Sequence, residues 1–336
     1  MDDQPPSEKK KKILIIRLSS IGDIVLTTPI IRTISKQIPN TEIHYLVKKE
    51  HKIVIESNPY VDQIFTYNKK NTDTIDLLKK EQYDLVIDLH KNRKTKAIVS
   101  QLGVKNYSYH KLNFKKWLMV YMKINSLPLQ HIVDRYFEGL NELGIKNDKQ
   151  GLDFFIPETE KFDMDDLPAV LEDGYVAITL GSIHGTKRIP AEKIIEISKI
   201  IHKPVILLGG KDVSAEGEWI ASNVNDRIFN FCGKLNLYQS ASLIQNCSCL
   251  LACDTGLMHI GAALKVPIAV MWGNTIPEFG MFPYMPLHPE LYRNFEITTL
   301  PCRPCSKLGY KKCPRKHFKC MMNLDTQEIA DWINIF

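Results

Sequence analysis

Residues 249–275 read CLLACDTGLMHIGAALKVPIAVMWGNT, and their reading decides the fold. Leu250, Leu251 and Ala252 form an apolar run that stops at Asp254-Thr255-Gly256. There a carboxylate or hydroxyl can cap a following helix, and the glycine lets another group approach the backbone. Leu257, Ile260 and Leu264 fall on one helical face, while Ala262 and Ala263 allow close packing on a sheet. Pro267 ends that helix, residues 268–272 restart a buried strand, and Gly273-Asn274-Thr275 turns the chain at the strand's carboxyl end. Open α/β sheets bind their ligands at such ends. The stretch therefore predicts strand, turn, helix and strand, with an anion pocket at the helix N-terminus.

Outward from it the same alternation continues. Residues 175–180 predict a strand, and the loop 181–187, Gly-Ser-Ile-His-Gly-Thr-Lys, leads to Pro190 at the start of a helix running to residue 201. A glycine-containing turn with a hydroxyl and a lysine before a helix suits phosphate, which singles out Ser182 and Lys187. A strand at 204–208, a helix near Ser214, a short strand at 227–230 and a helix at 237–245 complete this half. Asp212 and Glu216 lie beside the helix near Ser214, where either could simply favour the helix dipole.

At the other end, residues 13–16 are a continuous apolar run expected of a parallel strand. The loop 17–23 follows, and helical spacing continues over 24–37, with Pro29 as a kink or late start. Strands at 42–47, 64–67, 83–89 and 104–107 alternate with helices at 51–57, 73–82 and 94–102. His90, Lys91 and Arg93 follow a strand end, where exposed loop residues are the ordinary reading. Residues 111–144 read as mostly helical, with Trp117, Tyr121, Tyr136 and Phe137 expected in the core. The expected division is a disordered basic tail at 1–12, a first domain at 13–160, a linker at 161–174, a second domain at 175–325 and a final helix at 326–336.

At 336 residues, 44% hydrophobic and 24% charged, the chain has the profile of a soluble two-domain protein. No segment approaches the roughly 20 apolar residues of a membrane span, and the polar N-terminus does not read as a signal peptide, so a cytoplasmic location is expected. The net charge of +6 is concentrated at 9–12 and at Arg303, Lys307, Lys311, Lys312, Arg315, Lys316 and Lys319. Such runs could meet anionic lipid headgroups or a phosphorylated substrate. No nucleic-acid-binding signature accompanies them, and nucleic acid is not expected as a partner.

The loop 17–23 lacks the G-x-G-x-x-G fingerprint, which argues against a dinucleotide site. With its S-S-x-G-D pattern (Ser19, Ser20, Gly22, Asp23), the lysine three residues before Pro190, and D-T-G-L-x-H at 254–259, the chain resembles the heptosyltransferases of glycosyltransferase family nine, over nearly its whole length and in the family's order. Asn274 stands where that family usually has proline, and Ile189 where it often has tryptophan. The resemblance implies a GT-B architecture of two Rossmann-like doubly wound domains facing a cleft. It implies an inverting enzyme that needs no metal cofactor and moves heptose or a related sugar from a nucleotide donor, ADP-heptose foremost, to a lipopolysaccharide core acceptor. Asp23 would be the catalytic base, with helix capping as its structural alternative. Arg17, Ser19, Ser20 and Gly22 would meet the acceptor. Ser182, Lys187, Glu216, Asp254, Thr255, Gly256, Leu257 and His259 would hold the donor, Glu216 being preferred over Asp212 for the ribose hydroxyls that an acidic residue by that helix takes in similar enzymes; His259 rests on the motif alone, and a packed histidine is its alternative. The resemblance also implies that the last helix packs back on the first domain. The two basic runs are expected to favour the anionic inner membrane face or the acceptor's phosphates, giving a peripheral contact, and a monomer is expected.

Eight cysteines in such a chain are expected to be free or metal-bound rather than disulfide-bonded. Cys232, Cys247, Cys249 and Cys253 read as small apolar residues. Cys302-x-x-Cys305, Cys313 and Cys320, with His317 among them, could close a structural zinc site, but the second C-x-x-C that makes such a reading strong is missing. A hairpin with reduced thiols near the acceptor side is favoured. Two other functions remain at this stage: a nucleotide-sugar epimerase of the same fold, which would convert donor without acceptor, and a basic zinc-containing binding module, which metal content would reveal.

Overall fold

The computed structural model describes residues 10–68, 73–224 and 226–336. The chain divides into two compact units, the first running up to Lys111 and including Val133–Lys149, the second comprising Leu112–Ile132 and Gln150–Phe336.

The first unit holds five parallel strands in the order β3-β2-β1-β4-β5: β1 Lys11–Ile16, β2 Thr41–Lys48, β3 Gln63–Tyr67, β4 Leu85–Asp88 and β5 Asn106–Ser108. Helices α1 Ile21–Val25, α2 Thr28–Gln37, α3 Asp73–Lys80 and α4 Arg93–Leu102 lie between them. Every residue of β4 is buried, as is the run 13–16 of β1, because helices cover a parallel sheet on both faces. Leu14, Ile16, Leu46, Val86, Leu78 and Ile98 share one core. The helical span around Pro29 is two helices. Thr27 and Thr28 hydroxyls donate to the carbonyls of Ile24 (2.7 Å) and Val25 (2.8 Å) at the break, and Pro29 occupies the first turn of α2.

Helix α6, Ile132–Glu138, begins a segment that returns to this unit. Arg32 binds Asp148 through two bonds of 2.8 and 2.9 Å, and Gln37 exchanges bonds of 2.8 and 2.9 Å with the backbone of Lys146. Of the expected basic tail, Lys9 lies outside the described residues and Lys11 and Lys12 belong to β1, where Lys12 Nζ is 2.7 Å from Glu81 and 3.6 Å from Glu42. The tail therefore ends before residue 11.

The second unit holds six parallel strands ordered β11-β10-β9-β6-β7-β8: β6 Val176–Thr179, β7 Val205–Leu208, β8 Ile228–Asn230, β9 Cys249–Cys253, β10 Ile268–Trp272 and β11 Tyr292–Glu296. Numbered within the unit this is 3-2-1-4-5-6, the Rossmann order. The helices are α5 Asn113–Trp117, α7 Ala191–Ile200, α8 Ser214–Ser222, α9 Leu237–Gln245, α10 Gly256–Ala263, α11 Lys319–Met322 and α12 Thr326–Ile333.

Three expectations change here. The presumed linker is packed, with Leu167 and Leu171 buried and Phe162 at a ring separation of 5.8 Å from Phe231, and before it Leu152 and Phe154 are buried as well, Phe154 lying 6.0 Å from Tyr238. The second unit thus begins at residue 150. The segment 112–132 also belongs to it, since Ile132 N donates to Gly280 O (2.9 Å) and Val120 packs with Ile276 and Phe279. Helix α12 buries Ile329, Ala330 and Ile333 in the second unit's own core and so belongs to that unit.

Candidate active site

A doubly wound sheet opens a crevice where neighbouring strands send their connections to opposite faces. In the first unit that point lies between β1 and β4, and the loop after β1 carries Arg17, Ser19, Ser20 and Gly22 into α1. Ser20 is the extended N-cap. Asp23, in the first turn, accepts at Oδ2 from Ser20 N (3.2 Å) and Ser20 Oγ (2.9 Å), so the capping alternative is realised. Its other oxygen takes Arg17 Nη2 at 2.5 Å.

Arg17 is buried and committed on every side, donating also to Ser19 O (2.8 Å), Leu89 O (2.6 Å) and Tyr136 Oη (3.4 Å). It therefore holds Asp23 in place and does not present itself to an acceptor phosphate. Burial opposes ionisation of Asp23, but the charge of Arg17 and the amide and hydroxyl of Ser20 outweigh it and hold the carboxyl down to about 2.

His90, after β4, gains importance. Its backbone N and that of Lys91 donate to Asp88 Oδ1 at 3.0 and 2.7 Å, which fixes the loop. Its Nδ1 is buried without a hydrogen-bond partner. Burial, then the charges of Arg17 and Lys111, push the imidazole down to about 4, leaving it neutral at pH 7. Lys91 is spent on Tyr109 O (2.7 Å), and Arg93 is exposed.

In the second unit the reversal lies between β6 and β9, and the two predicted donor loops emerge there. Lys187 Nζ and Asp254 Oδ2 meet at 2.5 Å, with side chains 15% and 10% exposed; Thr275 Oγ1 donates to the same oxygen at 3.2 Å. Thr255 is the extended N-cap of α10, yet its hydroxyl donates to Cys253 O (3.2 Å) and makes no cap bond. The first-turn amides of Gly256 and Leu257 thus keep no capping side chain. His259 is buried in that helix and fits the packed alternative.

Ser182 accepts at its hydroxyl from His184 N (3.3 Å). Arg188, which sequence reasoning passed over, donates to Ser182 O (2.9 Å) and lies 2.9 Å from Asp212 and 3.9 Å from Glu216. Both candidates for the ribose contact therefore surround one guanidinium. Burial raises the carboxyl of Glu216 against the opposing charge of Arg188, and Glu216 is the less exposed of the two.

The cysteine loop packs against these turns of the second unit. A Cβ on Gly185 would lie 2.2 Å from Lys311 O, and Thr186 and Tyr310 exchange bonds of 3.0 and 2.8 Å. Asn274, the departure from the family's proline, accepts at its carbonyl from Cys305 N (3.2 Å) and donates to Ser306 Oγ (3.2 Å). Arg303 is buried, bonded to Gly273 O (2.7 Å) and Thr275 O (3.0 Å) and paired with Glu296 at 2.6 Å, so it is not a free surface charge.

Cys302 Sγ lies 3.9 Å from His317 Nε2. Burial, reinforced by Cys302 and Cys313, raises the thiol of Cys305 to about 11, and burial raises that of Cys320 to about 12. Among the described residues, the only three metal-ligand atoms within 4.8 Å of one another belong to Glu42, His44 and Glu81, two of which already hold Lys12.

Two Rossmann-like units, each with its polar residues at the sheet's switch point, are the architecture of the GT-B class. The sequence model of glycosyltransferase family 9 (heptosyltransferase) matches residues 74–311, and the chain belongs to that family. It is 24% identical to lipopolysaccharide heptosyltransferase 3 of Escherichia coli over 81% of this chain and 89% of that one. It is 25% identical to lipooligosaccharide heptosyltransferase 2 of Campylobacter jejuni over 96% and 98%. Among solved structures, E. coli ADP-heptose lps heptosyltransferase II superposes with a TM-score of 0.71 at 20% identity, covering 96% of this chain and 98% of the other. The epimerase and the zinc module are thereby set aside as readings of the whole chain.

Proposed function

We propose that this glycosyltransferase transfers heptose, with inversion, from ADP-heptose to a lipopolysaccharide core acceptor, working at the anionic inner face of the membrane. The observation that carries the donor half is the Lys187–Asp254 contact at the uncapped N-terminus of α10. The diphosphate would take the ammonium of Lys187 and the amides of Gly256 and Leu257, a cationic and dipolar cradle that does the work of a divalent cation on the leaving group. Freed from Lys187, Asp254 would accept from a sugar hydroxyl. Glu216 would accept from the ribose.

On the acceptor side, Asp23 would take the proton of the attacking hydroxyl. A carboxyl held at about 2 is a weak base toward a free alcohol, so the transfer has to be late, once bond formation to the anomeric carbon has acidified the oxygen. Ser19, Ser20 and Gly22 line its approach, and neutral His90 would accept a second acceptor hydroxyl at its unpartnered nitrogen. The test is direct: purified protein, ADP-heptose and heptose-free core oligosaccharide should give the heptosylated product and ADP, followed by mass spectrometry. Turnover of donor without acceptor, or transfer from other nucleotide sugars only, would reject the reading.

A further inference from the structure

Helix α5 continues without a break into a π-helical turn at Leu118–Met122, and this rod has two unlike faces. One is held down: Val120 is buried with Ile276 and Phe279, Lys116 Nζ sits 5.1 Å over the Phe279 ring, and Lys123 Nζ donates to Pro304 O at 2.8 Å. The other carries Phe114, Trp117 and Tyr121, spaced three and four residues apart and 70%, 43% and 63% exposed. Their rings form a ladder, with centroids 6.2 Å apart from Phe114 to Trp117 and 5.6 Å from Trp117 to Tyr121. Met122, Ile124 and Leu129 extend it, exposed by 57%, 53% and 96%. Trp117 and Tyr121 were expected in the core. Anchored as the rod is, the exposed ladder is a built surface, and apolar surface of this extent marks a contact.

The charge around it says with what. Within residues 112–132, the segment that carries the ladder, the sequence has no aspartate or glutamate, while it has three lysines, Lys115, Lys116 and Lys123. Aromatic rings beside lysines are the composition of a surface that enters the boundary between headgroups and acyl chains, the rings lying among the acyl ends and the ammonium groups among the phosphates. A second copy of this chain would bring the same positive charge to the contact and be repelled. Single-stranded nucleic acid would use the rings but not Met122, Ile124 and Leu129.

We propose that residues 113–129 dock this protein on an anionic phospholipid bilayer. The inference rests on the reading of a membrane-bound acceptor for its purpose only; the docking itself is independent of transfer. Cosedimentation with phosphatidylcholine vesicles, with and without phosphatidylglycerol, tests it. The protein should bind the anionic vesicles at least tenfold more strongly. Replacing Phe114, Trp117 and Tyr121 together by serine should lower that binding at least tenfold, and Lys115→Gln should lower it about fivefold. An unchanged thermal melt and unchanged calorimetric affinity for ADP show that the variants are folded. Equal binding by wild type and triple variant, or equal binding to neutral and anionic vesicles, overturns the proposal. So does a dimer in light scattering that the triple variant dissolves with no vesicle binding at all. Transfer to delipidated core oligosaccharide should be the same in wild type and triple variant. If neither transfers heptose while only wild type binds vesicles, the donor and acceptor reading fails and the docking stands.

Discussion

Lys187 Nζ lies 2.5 Å from Asp254 Oδ2 and so joins the loop after β6 to the loop after β9 at the point where the second sheet reverses its strand order. Each charge is nearly withdrawn from water, and each is satisfied by the other until an anion competes. Lys187→Ala removes the cation that a donor diphosphate would take and leaves Asp254, a negative charge, beside the same place. Affinity for ADP-heptose should fall about 10- to 100-fold, the range of one charge-assisted hydrogen bond. Titration calorimetry reads it, and unchanged affinity would move the nucleotide elsewhere.

Asp23→Asn keeps the cap acceptor, because the amide oxygen can still accept from Ser20, but it cannot take a proton. Turnover should fall by about 10²- to 10⁴-fold with donor affinity nearly unchanged, while the thermal melt falls because the buried Arg17 loses its counter-charge. A variant that melts early with full turnover per folded molecule would make Asp23 a helix cap alone.

The Arg17–Asp23 pair also sets a pH dependence. The Asp23 carboxyl is lowered from about 3.9 in an unfolded chain to about 2 when folded. Its contribution to stability is therefore complete above about pH 4 and is lost as pH falls through about 2. Replacing Arg17 by glutamine removes the main depressing charge and should raise that carboxyl. Its kcat/KM should then show an acid limb at higher pH than wild type's, and its melting temperature should depend less steeply on pH between about 4 and 2. Superimposable pH profiles would separate Asp23 from the rate.

Much of this was legible because parallel strands are short, continuous apolar runs with loops at fixed places. The helix expected at 237–245 is α9, Leu237–Gln245, and both donor loops sit where their flanking strands put them. What escaped depends on partners distant in sequence. Arg17 reads as a phosphate ligand until Leu89 and Tyr136 are brought to it. Arg188 acquires meaning only when Asp212 and Glu216 surround it. Strand β11, Tyr-Arg-Asn-Phe-Glu, lies at the sheet's edge and buries only Phe295, so it lacks the apolar run that marks the others. Trp117 and Tyr121 were assigned to the core by residue type, and residue type cannot say which face of a helix is covered.

The thiols of the cysteine loop give a chemical test. With Cys305 raised to about 11 and Cys320 to about 12, both remain protonated at pH 7 and react slowly. Alkylation of the native protein at pH 7 should leave them largely unmodified, and heptose transfer should survive excess chelator. Loss of transfer on chelation, restored by zinc, would make the loop a metal centre instead.

The same loop should act on the donor without touching it. Gly185 is the position where the lysine turn meets the carbonyl of Lys311, and an added Cβ would stand 2.2 Å from that oxygen, far inside contact distance. Backbone is on both sides, so neither can yield as a side-chain tip would. Gly185→Ala must therefore push the turn from the loop, strain the bonds between Thr186 and Tyr310, and displace Lys187, two residues on, from Asp254. A misplaced cation weakens the ground state and the departing diphosphate alike. The variant should raise KM for ADP-heptose and lower kcat, about tenfold or more in kcat/KM, while the KM for the acceptor stays near that of wild type. Loss confined to the acceptor KM would show that the cysteine loop supports the other substrate.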